Sequence, residues 1–391
     1  MSIKEKVMRI LLVILFCASL AGCAQAQQLK CGADQPEQYL GLLEGKHVGL
    51  VVNPSSRVGD EHLVDFLLRN GIAVEKIFSP EHGFRGDADA GEQVRDQKDQ
   101  KTSLPVISLY GDNKKPRADQ LDDLDLLVFD IQDVGVRFYT YLSTLHYVME
   151  ACAEENRKLL LLDRPNPNGD YVAGPVLKPQ FSSFVGMHPI PVVHGCTLGE
   201  LARMINGEGW LKGGLKCDLT VVAVANYSHR MPYSLPVKPS PNLPNDRSIR
   251  LYPSLCFFEA TTMSIGRGTY FPFQVIGYPD PSFGTFQFTP RSIVGMAKSP
   301  KQEGQLCYGD DLRTAGNEDR FTLRYFLHYY HAFENESDFL SSPRWFNLLA
   351  GTDELLKMIR EGAQESDIEA SWKPELDKYG KMRQKYLLYE D

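Results

Sequence analysis

The sequence lacks a glycine-rich phosphate loop. Neither G-x-G-x-x-G nor G-x-x-x-x-G-K occurs, and the first expected strand, 47–52, runs into Asn53-Pro54-Ser55-Ser56-Arg57. A phosphate cradle needs consecutive backbone N–H groups opening a helix, and a proline removes one, so a dinucleotide or nucleoside triphosphate site is excluded. There is no G-x-S-x-G nucleophile elbow, which disfavours serine hydrolase chemistry. C-x-x-C pairs are absent and His82, His194 and His229 stand apart, so the spacing nominates no metal site and no cofactor is expected. Positive charge is not in excess: 42 Lys and Arg against 50 Asp and Glu give a net charge of −8, and no basic run is interleaved with aromatics, so nucleic acid is not an expected partner.

Long apolar runs are also missing, with one exception. Residues 10–20 are apolar and follow Lys4, Lys6 and Arg9, but the stretch is too short to span a bilayer and reads as a secretory signal over 1–26. It ends in Leu20-Ala21-Gly22-Cys23, which resembles the bacterial lipobox, so Cys23 is the expected lipidation site. The alternative is cleavage after Ala24-Gln25-Ala26. Either route exports the protein, and lipidation would anchor it at the cell envelope, facing the periplasm. Beyond this segment Cys31, Cys152, Cys196, Cys217, Cys256 and Cys307 are widely scattered. A chain this long needs no disulfide staples, so these read mainly as small buried hydrophobes.

What the chain does contain is a βαβ alternation. Short apolar runs at 47–52, 72–78, 124–129, 159–162 and 219–225 alternate with amphipathic segments at 61–70, 138–156 and 198–207. Thr197 and Glu200 have capping-box spacing at the start of the last of these. The expected fold is α/β: a Rossmann-like, mostly parallel sheet over 38–230, a proline-rich crossover over 231–253, and a smaller α+β domain over 254–391. A short strand near Phe286 and helices near 321–332 and 344–360 belong to the smaller domain.

The strand ends carry the chemistry. In open parallel sheets ligands bind outside the carboxyl ends of the strands. Here the strands unload Asn53; Glu81, His82 and Arg85; Asp130, Gln132, Asp133 and Arg137; and Asp163, Arg164 and Asn166. Asn and Asp favour turns for local reasons, but Glu81, Gln132, Arg137 and Arg164 have no such preference. A glycosidase needs two carboxylates in environments that separate their pKa values, and Glu81, Asp130, Asp133, Asp163 and Glu259 are the candidates, with His82 assisting. Aromatic rings stack on sugar faces, and Tyr139 and Tyr141 lie beside these acids. Any one acid could instead pair with Arg137 or Arg164.

Six motifs carry a family resemblance. Ser-Pro-Glu-His-Gly-Phe-Arg-Gly (79–86), Phe-Asp-Ile-Gln-Asp-Val-Gly-Val-Arg-Phe-Tyr-Thr-Tyr (129–141), Asp-Arg-Pro-Asn-Pro (163–167), His-Gly-Cys-Thr-Leu-Gly-Glu-Leu-Ala (194–202), Pro-Ser-Pro-Asn (239–242) and Ser-Ile-Gly-Arg-Gly-Thr (264–269) occur in this order. Together they resemble the NamZ-type exo-β-N-acetylmuramidases over about residues 40–390. The resemblance implies release of N-acetylmuramic acid from the non-reducing ends of peptidoglycan fragments, muropeptides or disaccharides, in a cleft between the two domains. It makes Glu81 the leading general acid/base and adds His194, Asn242, Arg267 and Thr269 to the substrate contacts. The lactyl carboxylate of such a sugar calls for a cation, with Arg137, Arg164 and Arg267 as candidates. The competing readings are a non-catalytic wall-binding lipoprotein and an exported esterase or amidase.

Overall fold

A computed structural model describes residues 28–80, 84–85, 97–314 and 320–391. Glu81, His82 and Cys23 lie outside the described residues. The core is a seven-stranded sheet of β1 (His47–Val52), β2 (Ala73–Ser79), β3 (Gln97–Lys98), β4 (Pro105–Ser108), β5 (Leu126–Asp130), β6 (Lys158–Leu162) and β7 (Asp218–Val222). Its spatial order is β3-β4-β2-β1-β5-β6-β7, and only β3 runs antiparallel to its neighbour. The chain builds leftward from β1, then returns to build rightward from β5, which puts the topological switch point between those two strands.

Side chains alternate across a strand with period two, so each strand divides between two cores. Val48, Leu50 and Val52 of β1, with Leu126 and Val128 of β5, pack against α1 (Pro36–Leu43) and α2 (Leu63–Arg69). Val51, Leu127 and Phe129 face the opposite core, shared with α3 (Tyr141–Glu154), α4 (Leu198–Gly207) and the C-terminal part. Helix α2 starts at Leu63 rather than 61, because Glu61–His62 pairs with Arg57–Val58 as a short ribbon and the His62 ring caps the helix. Helix α4 begins as its spacing predicts. The Thr197 hydroxyl accepts from the Glu200 N–H, and the Glu200 carboxylate accepts from the Thr197 N–H.

The proline-rich segment is only partly irregular. Asn245 caps α5 (Asp246–Leu255), which includes Pro253. After it come a three-stranded antiparallel sheet of β8 (Val275–Tyr278), β9 (Phe286–Phe288) and β10 (Cys307–Asp311), with β10 in the centre, and the helices α6 (Arg324–Ala332), α7 (Pro343–Ala350), α8 (Glu354–Arg360) and α9 (Glu365–Arg383). This part packs onto the α3 side of the large sheet through one continuous apolar core. All six described cysteines are free and buried. No described helix is long and apolar enough to cross a membrane.

Candidate active site

A cleft of about 620 Å³ opens between the carboxyl edge of the large sheet and the smaller domain. One wall comes from the loops after β4 and β5, which supply Tyr110, Lys114, Phe138 and Tyr139, and from Tyr141 at the start of α3. The facing wall holds Asn242, Tyr252, Glu259, Arg267 and Trp345. β2 reaches this edge as well. Ser79 pairs with Ser108 of β4, and its carbonyl accepts the Leu109 N–H at 2.8 Å, so β2 ends beside the chain that leads into Tyr110.

The cleft walls are aromatic and fixed. The Tyr139 hydroxyl donates to the Pro239 carbonyl at 2.6 Å, and the Tyr139 and Tyr141 rings meet edge to face at 4.9 Å. Tyr252 continues the row, edge to face with Tyr139 at 5.9 Å and with Phe273 at 5.0 Å. Burial holds the Tyr139 and Tyr252 hydroxyls well above their ordinary pKa, so both stay neutral donors. The bond to Pro239 ties the wall after β5 to the Pro-Ser-Pro-Asn segment, which carries Asn242. Asn242 is 1 % exposed, and its amide nitrogen donates to the Met296 carbonyl at 2.8 Å. Its Oδ1 has no partner among the described residues. A buried acceptor without a partner is costly, so the position of Asn242 in the cleft lining is held at a cost in stability.

Glu259 lies on a short 3-10 turn, Cys256–Ala260, directly after α5. Lys301 pins that turn by donating to the carbonyls of Phe258, Glu259 and Thr261. Burial pushes the Lys301 ammonium down to about 8. Arg267 donates to Glu259 Oε1 through Nε at 3.1 Å and Nη2 at 2.5 Å, and its guanidinium sits 5.0 Å from the Phe273 ring centre. Glycines flank Arg267 at positive φ, and a Cβ on Gly268 would stand 2.5 Å from the Arg291 carbonyl, so the loop cannot exchange that glycine without moving.

Tyr139, Tyr141, Asn242, Glu259 and Arg267 are therefore gathered in one cleft, and the other described candidates are not. Asp130 is fully buried and gripped by Arg164 through Nε at 2.5 Å and Nη2 at 2.8 Å. It shares the strand parity of Leu126 and Val128, so it points toward α1, away from the cleft. Asp163 is spent on the start of α4: it accepts from the Gly199 N–H at 2.8 Å, the Thr197 hydroxyl at 2.6 Å and the Tyr389 hydroxyl at 2.6 Å. Burial pushes its carboxyl up to about 6. Asp133 accepts from the Gly135 N–H at 2.7 Å, and burial raises it to about 7. Its Oδ1 and the Nε2 of His194 are both without partners among the described residues, and His194 Nε2 is 3.9 Å from Asp133 Oδ2.

Arg137 is 1 % exposed and reads no carboxylate. Its Nη1 donates to the carbonyls of Pro175 and Ile190, and Nη2 donates to that of Leu349, each at 2.8 Å. Arg85 holds Asp99 at 2.8 and 2.9 Å. The Asn53 Oδ1 accepts from the Ser55 N–H and hydroxyl. Gln132 donates to the Asp133 and Pro165 carbonyls, and Asn166 donates to that of Cys196. His194 Nδ1 accepts from the Cys196 N–H, and the Thr269 hydroxyl donates to Gly266 O. These groups are engaged in hydrogen bonds and ion pairs within the protein. Tyr110, Lys114, Tyr252 and Trp345 were not anticipated; the first two follow the apolar run 105–109, a fifth strand end whose signal was as readable as the other four.

Family models describing the N-terminal and C-terminal parts of the exo-β-N-acetylmuramidase NamZ match residues 48–247 and 250–389. A peptidoglycan β-N-acetylmuramidase NamZ from Bacillus subtilis (strain 168) is 38 % identical over 373 residues, covering 90 % of this chain and 89 % of that protein. Two crystal structures of DUF1343 family proteins from Bacteroides fragilis NCTC 9343 superpose with TM-scores of 0.87 and 0.78. Their identities are 46 % and 29 %, over 93 % of this chain and 100 % and 99 % of theirs. With both halves matched in order and the fold shared, the chain belongs to the exo-β-N-acetylmuramidase NamZ family.

Proposed function

We propose that this protein is an exo-acting glycoside hydrolase that releases N-acetylmuramic acid from the non-reducing ends of peptidoglycan fragments, and that the cleft between the two domains is where it does so. The B. subtilis relative bears the name of that activity. The observation that carries the placement is the cleft's combination of an aromatic wall with the polar side chains of Asn242, Glu259 and Arg267. Sugar rings offer apolar faces to aromatics and hydroxyl donors to carboxylates.

In this reading Glu81 is the general acid/base and Glu259 the second carboxylate, with Arg267 holding Glu259 in place. Glu81 enters on sequence grounds: it follows Ser79 by two residues, and Ser79 ends β2 at the cleft edge. The rows of Tyr139, Tyr141 and Tyr252 seat the sugar. Export, lipid anchoring at Cys23 and a periplasm-facing location belong to the same proposal and rest on residues 1–26. The direct test is to incubate the protein lacking residues 1–26 with muropeptides and with a chromogenic N-acetylmuramide, and to measure free N-acetylmuramic acid. Its absence from both reactions overturns the reading.

A further inference from the structure

We propose that Lys114 is the cation that reads the substrate's lactyl carboxylate; this rests on the muramidase reading above. Among the described residues lining the cleft, the only cations are Lys114 and Arg267 and the only carboxylate is Glu259. Arg267 is already committed to Glu259. A second carboxylate approaching Arg267 would meet the negative charge of Glu259 at close range, and that repulsion offsets the attraction. Lys114 has no such competitor: no described carboxylate oxygen lies within 4.0 Å of its Nζ.

The neighbouring cations show that this is a property of the position. Lys115 holds Glu150 at 2.7 Å and Glu154 at 2.6 Å, and Arg117 holds Asp119 at 3.0 Å. Lys114 instead rests its ammonium 4.6 Å from the ring centre of Phe184, another residue of the cleft wall. A ring face fixes a cation's position without neutralising it, which leaves the charge available to a ligand. The described lining therefore carries one uncompensated positive charge, in a chain whose formal net charge is −8. A monoanionic sugar balances it.

The experiment compares kcat/KM for three chromogenic sugars: N-acetylmuramide with a free lactyl carboxylate, its lactyl carboxamide, and N-acetylglucosaminide. Lys114→Met is expected to lose about 10- to 100-fold on the free acid, mainly through KM, as suits a hydrogen bond to a charged group, and far less on the carboxamide. The acid-to-carboxamide ratio then collapses, and Lys114→Arg restores part of it. A ratio that survives Lys114→Met, with the melting temperature unchanged, overturns the assignment while the muramidase reading stands. A wild-type enzyme inactive on every muramide overturns both. Muropeptides, whose lactyl carboxylate is consumed in an amide, separate the two possible sources of the anion: a Lys114→Met loss confined to them moves the contact to a peptide carboxylate and overturns the lactyl assignment.

Discussion

Arg267 delivers two of its N–H groups to a single oxygen of Glu259, at 3.1 and 2.5 Å, and leaves Oε2 without a partner among the described residues. The pair is at the surface of the cleft, with side-chain exposures of 32 % and 25 %. An ion pair this exposed contributes only about 0–1 kcal/mol to stability. Its value lies instead in orienting one carboxylate in the cleft.

Glu259→Gln should therefore separate rate from stability. Loss of a general base or nucleophile costs about 10²–10⁴-fold in turnover, whereas the melting temperature should move by no more than a degree or two. Steady-state kinetics alongside thermal melts check this. A variant that keeps a tenth of the wild-type kcat would assign Glu259 to the anchoring of Arg267 alone.

Asp130→Asn is expected to do the reverse. Sequence reasoning made Asp130 a catalytic candidate, but its carboxylate is fully buried against Arg164. Breaking a buried pair from one side strands the other charge and costs about 3–5 kcal/mol. The melting temperature should fall by several degrees, with specific activity of the folded fraction near wild type at low temperature. A large rate loss in a fully folded variant would return Asp130 to the catalytic set.

Asp133 gives the pH dependence a sign. Burial raises its carboxyl from an ordinary 3.8 to about 7, and burial holds the nearby His194 down to about 3, so the two do not compensate one another as ions near neutrality. Between about pH 4 and pH 7 the folded state keeps a proton that the unfolded state has lost, so this group's contribution to stability falls as pH rises, by a few kcal/mol in all. Asp133→Asn removes that term. Urea midpoints measured from pH 4 to pH 8 should show the variant gaining on the wild type as pH rises and levelling off above about 7. A difference that stays flat across that range would mean Asp133 is not held protonated.

The fold was legible because its signals are local and repeated. The strand parity of β1 and β5 and the Thr197–Glu200 capping box need no tertiary context to be read. Helix α9 was missed although Ile368, Trp372, Leu376, Tyr379 and Arg383 recur at helical spacing: Pro374 lies inside it, and a proline within a periodic stretch reads as a break. The site was half legible for a different reason. A polar group at a strand end is visible in sequence, but whether it faces the cleft or a helix terminus is decided by parity and by partners hundreds of residues away. Asp163 illustrates this, since Tyr389 supplies one of its hydrogen bonds.

Arg137 is where that distinction has the largest consequence. A guanidinium in a family motif beside tyrosines suggests a carboxylate reader, but all three of its hydrogen bonds go to backbone carbonyls, one of them Leu349 in α7. With burial uncompensated by an anion, the guanidinium is pushed down to about 9. It ties the segment carrying Pro175 and Ile190 to the smaller domain. Arg137→Met would leave three buried acceptors open, each costing about 1–3 kcal/mol, so a large loss of stability and of soluble yield is expected. The discriminating measurement is made on whatever folds: the preference for muramyl over glucosaminyl substrates should persist, because the side chain does not reach the sugar. Collapse of that preference in a folded Arg137 variant would make Arg137, rather than Lys114, the carboxylate reader.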